Sequence, residues 1–441
     1  MFLPKCKRRL FALILAVAMS GPAHTLAQPG WTAKASDPVT LGWMQGSPPA
    51  PDRIIRFADG TYRSFPQWRW TVCHFQQLEP TIPVSRGLGP PRPLERAERA
   101  DIESLRFTPL GASEPMTFME AFDRNFTDGI IILHEGRVVY ERYAGCLSEQ
   151  NRHAAMSVTK SLIGLLSEIL IAEGTLDENR RVDSYVPELA SSAFGDATIR
   201  QVLDMTTGLE FSENYNDPAA DVWRHAMAGN PLPKPDDYSG PRTYYEYLTT
   251  VRRSGPHGAA FGYRTVNTDA MGWILSRVTG RPVSDLLAER LWSRIGADLE
   301  AYFTVDSIGT PFAGGGFNTG LRDLARVGHL LLDDGMIDGT RIVPEAAVNS
   351  IKRGGSRSAF AQAGYSQLSG WSYRSMWWVT HNKNGAFMAR GVYGQSLYID
   401  PTARTVIARF ASHPEAGNAA NDPTTLPLYQ AITDFLMSSV Q

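Results

Sequence analysis

The chain has 441 residues, 43% of them hydrophobic, with 43 lysines and arginines against 45 acidic residues. That suffices for a large buried core in one large or two medium domains. A formal charge of −2 and a pI near 6.5 give no electrostatic case for nucleic acid or an anionic membrane, and ten tryptophans with 39 glycines argue against a disordered or fibrous chain.

Met1 to Ala27 reads as a cleavable signal peptide. Lys5, Lys7, Arg8 and Arg9 precede the apolar stretch Leu10 to Met19, and Thr25-Leu26-Ala27 offers a cleavage site. A periplasmic or secreted protein is therefore expected. The apolar stretch is too short to span a bilayer, and no later segment reaches the roughly 18 apolar residues a spanning helix needs, so no stable membrane insertion is expected. Cys73 and Cys146 remain after cleavage. In an oxidising compartment they could pair; a buried free thiol is the alternative for either. The nine histidines are scattered without metal-ligand spacing, so neither a metal nor another cofactor is expected.

Residues 28–110 are rich in Pro, Gly and Trp with little periodicity and read as an extended arm. Gly129 to Leu133 and Val138 to Arg142, around His134-Glu135-Gly136-Arg137, predict strand, turn, strand. Apolar positions at Leu162, Ile163, Leu165, Leu166, Ile169 and Leu170 then predict a buried amphipathic helix that stops at Gly174. From about 175 to 310 helical patterns alternate with loops. Leu321 to Leu332 is a further helix. Trp377 to Val379, Gln395 to Ile399 and Val406 to Phe410 return to strands, and Leu426 to Met437 closes with a helix. Strands at both ends and helices between predict an α/β body, residues 111–441, with a helical insert over 175–310.

The chemistry concentrates at the start of the helix that follows the hairpin. Ser157 and Lys160 stand one turn apart on one face, where free backbone N–H groups can stabilise an oxyanion and a lysine can exchange protons with a hydroxyl. Only seven of the 43 basic residues are lysine. Arginine stays protonated, whereas a buried lysine can be driven toward neutrality, so a lysine at an apolar helix start stands out in an arginine-rich chain.

Three further stretches line up with Ser157. Phe261-Gly262-Tyr263-Arg264-Thr265-Val266-Asn267-Thr268-Asp269 resembles the Tyr-x-Asn/Ser loop of serine hydrolases related to class C β-lactamases. Gly391-Val392-Tyr393-Gly394-Gln395 resembles the glycine-bearing strand across that site, and Leu203 to Leu209 with Asp323-Leu324-Ala325-Arg326 resemble supporting motifs. The resemblance runs from about residue 120 to the C-terminus. Glu213-Asn214-Tyr215-Asn216-Asp217-Pro218, Tyr263-x-Thr265-x-Asn267-Thr268-Asp269 and Trp377-Trp378 make the chain most similar to the 6-aminohexanoate-dimer hydrolases, which cut amide bonds in short nylon oligomers.

The resemblance implies a β-lactamase/transpeptidase-like α+β sandwich, an antiparallel sheet flanked by helices. It implies Ser157 as nucleophile with Lys160 and Tyr263 as proton partners, the acylation base unassigned between the two. A Lys160 ammonium beside Tyr263 would favour an ionised phenol. The backbone amides of Ser157 and Gln395 would form the oxyanion site, and Tyr215, Thr265, Tyr393, Gly394, Trp377 and Trp378 would contact a small amide or ester substrate. Two departures bear on specificity: Thr265 replaces a serine, and Tyr393 stands where those hydrolases carry a histidine. A carboxylesterase is the main alternative, and a D-amino peptidase or an acylated penicillin sensor a more distant one. No Gly-x-Ser-x-Gly elbow occurs.

Overall fold

The computed structural model describes residues 30–438. The expected signal peptide lies outside the described residues. The predicted hairpin forms from Thr127–His134 (β1) and Arg137–Tyr143 (β2), joined through Glu135 and Gly136, both at positive φ (49° and 77°). Two successive left-handed residues give the primed turn whose twist matches that of paired strands. The chain returns to this sheet much later with Ser372–Arg374 (β3), Trp377–Val379 (β4), Phe387–Gly391 (β5), Gln395–Asp400 (β6) and Thr405–Ala411 (β7). β7 docks antiparallel beside β1, with Val406 opposite Leu133 and Ala408 opposite Ile131. The seven-stranded order is β3-β4-β5-β6-β7-β1-β2, every pairing antiparallel. Burial on both faces explains why β1, with its Ile130–Leu133 run, lacks polar alternation.

Between these halves lie Val158–Ala172 (α1), Val266–Thr279 (α2) and Leu321–Leu332 (α3); Asp422–Ser438 (α4) follows β7. α1 packs against α2 and against β4, β5 and β6, whereas α3 lies on β6, β7 and β1. The predicted amphipathic stripe of α1 is a correction: every residue from Val158 to Leu170 is buried. A helix covered all round must satisfy its polar groups internally. Ser161 Oγ donates to the Met376 carbonyl at 2.7 Å, and Glu168 accepts from Arg200 at 2.9 Å and from the Ser375 hydroxyl. Gly164 permits this approach, since a Cβ there would fall 1.8 Å from the Ser375 carbonyl oxygen.

Residues 30–110 are not an extended strap. They fold into short helical turns, including Trp68–Thr71, and a strand, Thr81–Val84, which opens a four-stranded sheet with Ala301–Thr304, Phe317–Thr319 and His153–Ala154. Their aromatic residues Trp68 and Trp70 join the core. Backbone bonds from Ala97 and Arg99 to Val138 and Val139 of β2 hold this segment to the main sheet, and two side-chain links add to them. Arg69, 2% exposed, donates to fully buried Asp128 of β1 at 2.9 Å, and Cys73 forms a disulfide with Cys146 across a separation of 73 residues. The only close group of His, Cys, Asp and Glu ligand atoms among the described residues is Cys73, Cys146 and His153, where the disulfide takes both sulfurs. The segment over 175–310 is less helical than expected, carrying a two-stranded ladder (Leu209–Glu210 with Arg252–Arg253) and Ala301–Thr304. No helix among the described residues is long and apolar enough to cross a membrane.

Candidate active site

Ser157 occupies the N-cap of α1, yet its side chain makes no capping bond. The preceding Met156 sits at φ 47°, a left-handed conformation uncommon outside glycine, in the turn that presents Ser157. Lys160, 1% exposed, reaches back one turn to place Nζ 2.9 Å from Ser157 Oγ. The same ammonium nitrogen donates to the Gly314 carbonyl at 2.5 Å. Gly314 is held in turn by its N–H, which donates to Asp269 of α2 at 2.9 Å. A side chain at 314 is excluded, because its Cβ would meet the Thr265 methyl at 2.3 Å and Phe312 at 2.8 Å. Behind Asp269, His225 Nε2 lies 2.9 Å from the second carboxylate oxygen, close without hydrogen-bond alignment. Burial pulls the Lys160 ammonium down to about 8, against the opposing charges of Glu213 and Asp269.

Tyr263 places its hydroxyl within hydrogen-bonding reach of Ser157 and its ring 5.2 Å from Lys160 Nζ. Its phenol is pushed well above the usual tyrosine range, first by burial and then by the Glu213 carboxylate. The pull of a Lys160 ammonium toward an ionised phenol is outweighed here: the pocket desolvates the oxygen and adds an anion, and both disfavour phenolate. Glu213 anchors this corner. It accepts from the Thr265 N–H (2.8 Å), the Thr265 hydroxyl and the Tyr215 hydroxyl (2.8 Å). Thr265 thus serves at the start of α2 as a tether for the Tyr215 loop.

Two hollows meet at Ser157. An inner one of about 80 Å³ is lined by Lys160, Gly314 and Thr265, and an outer cleft of about 360 Å³ by Tyr263, Trp378 and Arg390. Ser157, Tyr215 and Val392 line both. The predicted pair Trp377–Trp378 splits by strand alternation. Trp378 stacks on Tyr263 (5.6 Å between centroids), whereas fully buried Trp377 donates to the Ser161 carbonyl in the core.

The strand opposite Ser157 needs the largest correction. Gly391 backs onto Ser157, where an added Cβ would lie 3.0 Å from Ser157 N. The next residue, Val392, lines both hollows, and Gln395 lines neither. Gln395 starts β6, and its side-chain amide donates to the carbonyls of Val392 (3.1 Å) and Ala411 (2.7 Å). Its side chain braces the bend, and no part of it borders the hollows that meet at Ser157. Tyr393, at φ 64° inside that bend, packs its ring 4.6 Å from Trp68 instead of lining either hollow. Gly394 likewise turns away, its carbonyl accepting from buried Arg409.

A family model, β-lactamase, matches residues 121–430. The chain belongs to the β-lactamase family. A 6-aminohexanoate-dimer hydrolase of Paenarthrobacter ureafaciens is 36% identical over 399 residues, covering 90% of this chain and 93% of the relative. A Bacillus anthracis structure provisionally named a 6-aminohexanoate-dimer hydrolase superposes with a TM-score of 0.78 at 29% identity, over 86% of this chain and 96% of that one. EstCE1, a hydrolase with promiscuous acyltransferase activity, shares the fold at a TM-score of 0.57 and 17% identity, over 71% and 96% of the two chains.

Several residues of this β-lactamase-family site escaped the sequence reading. Arg390 lines the outer cleft with its guanidinium 5.0 Å above the Trp378 ring, paired to Asp422 of α4. An arginine inside the apolar strand Phe387–Gly391 was the available signal. Tyr365 faces the same cleft, and Glu79 and Arg63 line the inner hollow. These come from segments with no periodic pattern, so only the fold could bring them to Ser157.

Proposed function

We propose that the chain is a serine hydrolase that forms an acyl-enzyme through Ser157 and cleaves small linear amides or esters in the manner of 6-aminohexanoate-dimer hydrolases. The observation that carries the reading is the buried 2.9 Å contact between Lys160 Nζ and Ser157 Oγ. A serine hydroxyl is a weak nucleophile until a base takes its proton, and burial brings Lys160 close enough to neutrality to do so. The neutral lysine accepts the Ser157 proton as Oγ attacks the substrate carbonyl. The Ser157 amide and that of Val392, in place of the Gln395 amide, donate to the oxyanion. Tyr263, held protonated, donates to the leaving nitrogen or oxygen when the intermediate collapses. The Lys160 ammonium then gives the proton it took to the Tyr263 phenolate, which restores both groups; in deacylation the attacking water yields its proton to the Tyr263–Lys160 pair, and Lys160 returns one to Ser157 Oγ as the acyl group leaves.

An ester-only enzyme is the second reading, favoured by Tyr393 lying outside both hollows, so that the feature expected to position an amide is missing. β-Lactam hydrolysis is a poorer fit: no Lys-Thr-Gly motif occurs, and Arg390 is already engaged by Asp422. The small substrate needs no nucleic-acid or membrane partner. Export through Met1–Ala27 belongs to the same proposal, supported by the Cys73–Cys146 disulfide, which suits an oxidising compartment. Intact-mass spectrometry during turnover of a p-nitrophenyl ester tests the central claim. An acyl adduct on wild type that is absent from Ser157→Ala is expected, and undiminished turnover by Ser157→Ala would refute it. Mature protein from the native host should begin near Gln28; an intact Met1 on cytoplasmic protein would refute export.

A further inference from the structure

The inner hollow ends on a carboxylate. Phe75, Val222, Trp223 and Phe312 give it apolar walls, and Glu79 and Arg63 line it with them. Glu79 is 6% exposed, and its Oε1 has no hydrogen-bond partner. Among the described residues no cation lies within 4.0 Å of it in an ion pair. Arg63, the cation beside it, acts on it only through space: it donates to the Pro231 carbonyl at 3.2 Å and lies over the rings of Tyr62 (5.8 Å) and Trp68 (5.7 Å). Burying a carboxylate oxygen with no partner is costly, and native structures rarely tolerate it without a reason. Burial accordingly pushes the Glu79 carboxyl up to about 7, with Arg63 and Tyr62 opposing.

The orientation of a bound substrate follows from the two proton partners. Tyr263 lines only the outer cleft and Lys160 only the inner hollow. If Tyr263 protonates the leaving group, that group occupies the outer cleft and the acyl chain runs inward between the apolar walls. We infer that Glu79 is a specificity-determining residue that receives a terminal ammonium on the acyl chain, so that the inner hollow selects linear ω-amino acyl groups over neutral ones. This rests on the acyl-enzyme reading above. A buried carboxylate gains far more from an ammonium it can pair with than from a methyl end that leaves it unsatisfied.

The test compares p-nitrophenyl 6-aminohexanoate with p-nitrophenyl hexanoate, which differ at the chain end, on wild type and Glu79→Gln. Glu79→Gln is expected to lower the ratio of kcat/KM for the amino ester to that for the hexanoate by at least about tenfold, as loss of a buried charge partner does. A parallel change in both esters, or none in either, overturns the inference. Should Glu79→Gln fail to fold, inhibition of wild-type hexanoate hydrolysis decides instead. n-Hexylamine should inhibit at least about tenfold more strongly than 1-hexanol; equal inhibition constants overturn the inference. The acyl adduct formed from the hexanoate ester, which carries no cation, reports separately on Ser157 and the acyl-enzyme.

Discussion

Trp378 lies over Tyr263, ring centroids 5.6 Å apart and planes inclined by 28°. The indole shuts water from one face of the phenol while Glu213 sets an anion nearby, and together they keep the Tyr263 proton in place. The two side chains beside Ser157 thus differ: burial drives Lys160 toward its neutral form and favours the protonated form of Tyr263.

Lys160→Arg should lower kcat by about 10²–10⁴-fold with little change in folding, because a guanidinium cannot release its proton at working pH. Steady-state kinetics on a neutral ester, with circular dichroism to confirm the fold, measure this. Activity within a few-fold of wild type would transfer the base role away from Lys160.

The rate on a neutral ester should rise with pH through an inflection near 8. In the proposed mechanism the active form is neutral Lys160, whose folded value is lowered to about 8, so the reactive fraction is small at pH 6 and nearly complete at pH 9. A kcat/KM profile flat from pH 6 to 9 would contradict the assignment.

Asp269→Asn should move that inflection downward. Its carboxylate favours charged Lys160 through space and fixes Gly314, whose carbonyl accepts from Nζ. Removing the charge leaves burial less opposed, so Lys160 loses its proton at lower pH. An unmoved inflection with reduced kcat would mean that Asp269 acts only by shaping the Gly314 loop.

Tyr215→Phe should separate amide from ester cleavage. The Tyr215 hydroxyl is bound to Glu213, which also tethers Thr265, and Tyr215 touches both hollows. Loosening that loop misplaces the substrate relative to Tyr263, and an error of about 1 Å costs on the order of a hundredfold where geometry limits the rate. With a common acyl group, kcat/KM should fall at least about tenfold more for the amide than for the ester. Tyr393→His should not produce such a split, because that ring packs on Trp68.

Replacing both Cys73 and Cys146 by serine should cost about 4 kcal/mol, the loop-closure value for a 73-residue separation. Denaturant melts with and without reductant measure it. Wild-type and double-variant midpoints that agree under oxidising conditions would show that the non-covalent contacts of the segment hold it without the disulfide.

Local pattern sufficed for the frame and for the Ser157–Lys160 contact. The β1–β2 hairpin, α1, α3, β4, β6, β7 and α4 were legible because each carries its own periodicity or turn chemistry. Ser157 and Lys160 were legible because their contact spans a single helical turn, a distance that sequence spacing fixes. Tyr263 needed a motif, since it arrives from over a hundred residues away. What lies opposite Ser157 was beyond local reasoning. The bend Val392–Gly394 decides that Val392 rather than Gln395 lines the hollows at Ser157 and sends Tyr393 onto Trp68, and its path depends on Gln395 bracing it to β7. Strand alternation sends Trp378 to the cleft and Trp377 to the core, a parity set by the sheet. Glu79 reaches the inner hollow because Thr81–Val84 pairs with Ala301–Thr304, a contact between segments remote in sequence whose energy comes from burial and has no local signature.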